Sequence, residues 1–226
     1  MGMAEKEIKI KVIEWLMKHE KHSVVIPEVT LGHKASIEGA SVSRADIFAV
    51  NGDISIYEIK TERDTLDRLE SQLTMYQQVA NRVSVVVADK FIEKAMILPD
   101  NIGVYSITSR SIKKIRPPKS CKITTSAYLH YWWGLELKEI FRGFSGWSKI
   151  DSDTGKQKLI DLLTDDQIRN LTLYRLKERY YKESEIIANA IIEKKYDELF
   201  PKRNFGGDIK ITPLKDIVFG EIIRVS

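Results

Sequence analysis

Asp46 and, twelve residues further on, Glu58-Ile59-Lys60 flank the short segment Asn51-Gly52-Asp53. Two carboxylates on neighbouring strands can hold a hard divalent cation through oxygen ligands. A lysine two residues past the second carboxylate projects to the same side, because strand side chains alternate faces. A cation held there could activate a water and stabilise a leaving oxygen, while the ammonium offsets charge on a phosphate. The chemistry open to such a set is metal-assisted hydrolysis of a phosphodiester.

Register decides whether these groups can meet. A strict two-residue Asn51-Gly52 turn would pair Asp46 with Tyr57 and turn Glu58 to the opposite face. A three-residue connection, or one bulge, pairs Asp46 with Glu58 instead. The apolar pattern favours the second arrangement, which sets Phe48 against Ile56 and Val50 against Ile54. Ile47, Ala49, Tyr57 and Ile59 then fill the other face. A sheet apolar on both sides belongs between helices, as in an α/β domain.

Glu-x-Lys by itself is common on exposed strands, so a solvated edge hairpin competes with the site reading. The next segment adds to the pattern. Asp64-Thr65 can cap a helix in which Leu66, Leu69, Leu73, Tyr76 and Val79 recur at helical spacing. Gln72 and Tyr76 lie one turn apart on that helix.

Asp46, Glu58-Ile59-Lys60 and Gln72-Leu73-Thr74-Met75-Tyr76, in this order and spacing, resemble the PD-(D/E)XK nuclease superfamily. The Gln-x-x-x-Tyr helix is similar to that of its RecB-type and Holliday-junction-resolvase-like branches. Ser43-Arg44-Ala45-Asp46, with Glu58 to Thr61, Asp64 to Leu66 and Arg68-Leu69, resembles small bacterial and phage proteins of that superfamily. The likeness covers about the first half of the chain. It implies a restriction-endonuclease-like core, a mixed sheet flanked by helices in the order α-β-β-β-α-β. It also implies Asp46 and Glu58 as Mg²⁺ ligands (Mn²⁺ as substitute), with the Ile59 carbonyl as a third. Lys60 would contact the scissile phosphate or the attacking water. Gln72 would orient substrate or a bound water, and Tyr76 would support it or touch the nucleic-acid backbone; a plain core role for Tyr76 is the alternative.

A further acid usually completes such sites. Glu28, in the apolar run Val24 to Val29 where an unpaired charge would be expensive, is the first candidate. Glu5, on the helical face of Ile8, Val12 and Trp15, is the second, and the number of metal ions stays open. Arg44 and Arg63 flank the carboxylates and could hold phosphates or simply serve solubility.

The whole chain of 226 residues carries a net charge of +4, which permits nucleic-acid binding. A single Cys121 excludes an intramolecular disulfide and a cysteine-built zinc site, and His19, His22, His33 and His130 lack ligand-like spacing. No apolar run reaches membrane-spanning length and the N-terminus lacks a signal-peptide core, so a cytoplasmic protein is expected. Residues 1–110 are expected to form the nuclease-like domain, 111–123 a basic linker, and 124–226 an all-α region with strand signal only near its end. Within the last, 135–165 resembles a SAP module, a helix–extended loop–helix that rests on DNA, with Lys156 and Lys158 as phosphate contacts. Its loop is longer and more acidic than usual, and a plain helical hairpin is the alternative. Tyr128, Tyr131, Trp132, Trp133 and Trp147 read as core or domain interface rather than a base-stacking platform, and Tyr180-Tyr181 as a break between two final helices. The expected function is Mg²⁺-dependent DNA cleavage in repair, recombination or phage–host conflict, with oligomeric state open and a homodimer allowed. A non-cleaving DNA-binding module and an RNA-cleaving enzyme are the alternatives.

Overall fold

Alternating apolar strands with helices between them fold as a mixed α/β protein. The structure is a computed structural model and describes residues 5–19, 24–31, 43–200 and 211–220. Helix α1 (Glu5–His19) is followed by strands β1 (Val24–Leu31), β2 (Ser43–Val50) and β3 (Ile54–Lys60), then α2 (Leu69–Val79) and β4 (Arg82–Ala88). A short α3 (Ile92–Met96), β5 (Gly103–Ile107) and β6 (Ile112–Arg116) complete a six-stranded sheet in chain order. β3, β4 and β5 run parallel, and the remaining neighbours are antiparallel. The β2–β3 connection is the three-residue Asn51-Gly52-Asp53, with Val50 opposite Ile54 and Phe48 opposite Ile56, as the apolar pattern requires. Gly52 takes φ +71°, a left-handed conformation that suits a residue without Cβ.

Both faces of the sheet are covered. On one, Trp15 of α1 meets Tyr105 edge to face, and Tyr105 meets Tyr57. On the other, Tyr180 meets Phe48, and Tyr76 of α2 reaches Glu58. Residues 111–123, expected as a linker, contain the edge strand β6. Its Arg116 donates to the carbonyls of Ile102, Leu98 and Pro99, and its Lys114 lies over the rings of Trp15 and Tyr105. Much of this basic stretch therefore serves the fold. α2 also starts later than expected, at Leu69. Asp64 does not cap it; its carboxylate accepts from the Thr61 amide and hydroxyl in the turn that leaves β3.

The chain divides into two compact units, one of residues 1–123 and 180–201, the other of 124–179 and 202–226. The second contains α4 (Thr125–Leu129), α5 (Gly134–Ile140), α6 (Ser152–Leu162) and the first part of α7 (Asp165–Ile192). α7 runs unbroken through Tyr180-Tyr181, contrary to expectation, because Tyr180 is buried and Tyr181 exposed as successive positions on one helix. In the second unit Glu136 is fully buried among Arg175, Arg179 and the Trp133 amide, and Trp132 donates to Thr172. Tyr128 and Trp132 belong to this core. Arg179 stacks over Trp133 at 4.0 Å. Among the described residues no helix is long and apolar enough to cross a membrane. His22, His33 and the last residues, 221–226, lie outside the described residues.

Candidate active site

The β2–β3 ladder ends at Ile47 and Tyr57. Beyond it the Asp46 Oδ2 accepts the Ile59 amide at 2.8 Å, next to Glu58 in sequence. Asp46 thus sits where the two strands part, and its charge acts on Glu58. The Glu58 residue is only 3% exposed. Its Oε1 receives the Lys60 ammonium at 2.7 Å and its Oε2 the Tyr76 hydroxyl at 2.8 Å. Lys60 also donates to Gln72 Oε1 at 3.0 Å. The strand and helix spacings converge here: alternation aligns Glu58 with Lys60, and one α2 turn aligns Gln72 with Tyr76. The Tyr76 side chain is fully buried, and its hydroxyl also reaches the Arg44 carbonyl. It is both a core residue and a partner of the acid.

Burial, and next the Asp46 charge, raise the Glu58 pKa above the usual carboxylate value, while Lys60 and Tyr76 pull it the other way. The net upward shift means its negative charge is under-compensated by the protein alone.

A second cluster adjoins the first. Lys9 of α1, with a side chain 3% exposed, places its ammonium 2.7 Å from Glu5 Oε1, 3.0 Å from Glu28 Oε1 and 3.2 Å from Asp46 Oδ1. Burial would lower the Lys9 pKa, but its bonds to Glu5, Glu28 and Asp46 and the Asp46 charge outweigh it and raise the value above that of an ordinary lysine. Glu28 lies opposite Asp46 in the β1–β2 register, between the pairs Pro27–Ile47 and Val29–Ala45. Its φ of 55° is left-handed, a conformation costing a non-glycine residue about 1–3 kcal/mol. Its other oxygen faces Arg44 at 3.6 Å.

Do these residues suit a divalent ion? Asp46, Glu58 and the Ile59 carbonyl are hard oxygen donors, and Mg²⁺ is commonly held by one or two carboxylates and several waters. Each carboxylate oxygen keeps lone-pair capacity beyond the bond it already accepts. The donor set fits. Among the described residues, no three His, Cys, Asp or Glu side chains are grouped as they would be around one metal ion. The carboxylates round Lys9 are spread by the ammonium to nitrogen–oxygen distances of 2.7–3.2 Å, wider than the roughly 2.0–2.1 Å of Mg²⁺ coordination.

A family model described as bacteriophage P4 protein cII matches residues 2–198. The chain belongs to the phage P4 cII family. Protein cII of Enterobacteria phage P4 is 27% identical over 190 residues, which cover 80% of this chain and 70% of that protein. A Silicibacter pomeroyi protein of unknown function shares 16% identity at a TM-score of 0.41, over 57% of this chain and 82% of its own. The cII match includes both carboxylate clusters, the whole sheet and helices α4 to α7.

The other expected contacts in this cII-family chain fare differently. Arg44 is exposed beside the cluster but faces Glu28. Arg63 is exposed in the turn after β3, where its amide donates to Thr61. Lys156 and Lys158 both sit on α6, half-buried and exposed respectively. Two residues apart on a helix, they point about 200° apart and so do not form one patch. Sequence reasoning missed Lys9. Its signal was the Glu5–Lys9 spacing of four on a helix face that also carries Ile8 and Val12, both buried.

Proposed function

We propose that this chain is a metal-dependent nuclease of the PD-(D/E)XK type, with its restriction-endonuclease-like core in the sheet and α1 to α3, and that it cleaves DNA. The observation that carries the reading is Glu58. This buried carboxylate is held between the Asp46 charge, the Lys60 ammonium and the Tyr76 hydroxyl. A structural ion pair needs no second acid at its shoulder, whereas a cation site does.

Asp46, Glu58 and the Ile59 carbonyl would hold Mg²⁺, or Mn²⁺ in its place; Glu28 is committed to Lys9 and Arg44. When bound, the ion supplies polarisation of the phosphate and activation of a water. Lys60, steadied by Glu58 and Gln72, brings a positive charge to the place where the phosphate gains negative character. Tyr76 fixes the orientation of Glu58 and keeps it ionisable. Arg44 and Arg63, on the exposed side, hold flanking phosphates. Kinship with a phage protein favours phage–host conflict or phage recombination as the setting.

A second reading has its own support. Every oxygen of Asp46 and Glu58 already meets a donor within the protein, as expected of a DNA-binding module that keeps this fold without cutting. Incubation with supercoiled, linear, branched and single-stranded DNA and with RNA, with and without Mg²⁺ or Mn²⁺, separates the two. Cleavage that needs the ion and disappears in Asp46→Asn and Glu58→Gln is the expected result. DNA binding without cleavage under every condition selects the second reading, and cleavage of RNA alone changes the substrate class.

A further inference from the structure

The site holds more cation than the nuclease chemistry uses. Lys60 serves Glu58, yet a second ammonium, Lys9, is buried against three carboxylates from three elements, Glu5 of α1, Glu28 of β1 and Asp46 of β2. A buried lysine on a helix face is costly unless its charge is matched. Here three carboxylates face one ammonium, with Glu28 shared with Arg44. Lys9 also shares a carboxylate with the catalytic cluster, since Asp46 offers Oδ1 to Lys9 and Oδ2 to the Ile59 amide.

With Lys9 among them, these three carboxylates of the described residues are not grouped as metal ligands; one of them, Asp46, also acts on Glu58, so without the ammonium they would offer a second divalent ion a place beside the first. We propose that Lys9 is a built-in cation that takes the place of that second ion, so that the nuclease site works with one exchangeable metal. This rests on the metal-binding reading of Asp46 and Glu58. The ammonium brings one charge instead of two and cannot be lost to a chelator. It also holds Asp46 and Glu28 in position before any metal arrives, at the cost of the left-handed backbone at Glu28. Glu5 and Glu28 then serve Lys9 and do not touch the exchangeable ion.

The test is the number of Mn²⁺ ions bound per chain, read by calorimetric titration. Wild type and Lys9→Arg should each bind one. Lys9→Met and Lys9→Gln, which leave three carboxylates without their cation, should bind two, and Mn²⁺ should raise their melting temperature more than it raises that of wild type. Glu5→Gln, in a chain that keeps Lys9, should still bind one ion with affinity unchanged within about twofold. That measurement stands even if the Lys9 variants do not fold. Two ions in wild type overturn the proposal and leave the nuclease reading intact. So does a single ion in folded Lys9→Met, or a weakened or lost ion in Glu5→Gln. A wild type that binds no divalent ion sinks both.

Discussion

The side chain on which most depends is Glu58, and its chemistry is set by neighbours pulling in opposite directions. Burial and Asp46 disfavour its charge, while Lys60 and Tyr76 favour it. Because its folded-state pKa lies above the ordinary carboxylate value, ionising it costs more in the folded chain than in the unfolded one. The metal-free protein should therefore lose stability as pH rises from the ordinary value through the raised one. Over that same window Mn²⁺ affinity should climb and then level off, because the ion requires the carboxylate. Tyr76→Phe removes a hydrogen bond that favours the charge, so its affinity profile should move to higher pH. Calorimetric titrations across the acid range check this, and a profile unchanged in Tyr76→Phe would mean that the hydroxyl does not tune Glu58. Lys60→Ala should lower cleavage rate far more than DNA affinity, since its charge matters most as the phosphate gains negative character; equal losses in both would make Lys60 a binding residue.

Elements were legible where turn chemistry and periodicity agreed. The β2–β3 register followed from Asn51-Gly52-Asp53 and the facing apolar residues as far as Ile47 and Tyr57, where the ladder ends, and Asp46 reaches β3 by accepting the Ile59 amide. The α2 start did not, because Asp64 had two uses and its carboxylate closes the turn on Thr61. β6 was hidden by its exposed lysines, which protect an edge strand and read as a connector. Lys9 was hidden for the opposite reason, since a charge on an apolar helix face is discounted until Glu28 and Asp46 arrive from β1 and β2 to join Glu5 of its own helix. In the second unit the α5–α6 hairpin is close-packed: a Cβ on Gly155 would come within 2.9 Å of Leu137 Cβ. α5 is tied to α7 through buried Glu136 and the guanidinium groups of Arg175 and Arg179. Glu136→Ala should cost about 3–5 kcal/mol, because it leaves buried guanidinium charge uncompensated. Denaturant unfolding that shows a loss below about 1 kcal/mol would mean that water enters and replaces the carboxylate.

At the scale of the whole molecule the two units carry different kinds of side-chain cluster. Both acid clusters described above belong to the first unit. In the second, Glu136 and Glu178 are spent on arginines, and Lys138 lies over Trp147. Under the proposed nuclease function, substrate grip would fall to the second unit, and α6 is the element to test, since it carries Lys156 and Lys158. The two lysines diverge around the helix, and Lys156 is the half-buried one; burial, and next the Lys156 charge, lower the pKa of His130. A SAP-like seat on DNA would therefore use Lys158 first. Lys158→Ala should weaken DNA binding across all sequences and reduce the slope of log affinity against log salt by about 0.9, the value of one duplex phosphate contact. Lys156→Ala should change the slope less, and cleavage at saturating DNA should survive both because the carboxylates are untouched. Should the double variant keep the parent's affinity and slope, α6 is scaffold or a surface for another protein, and DNA is held by the exposed arginines of the first unit, Arg44 and Arg63.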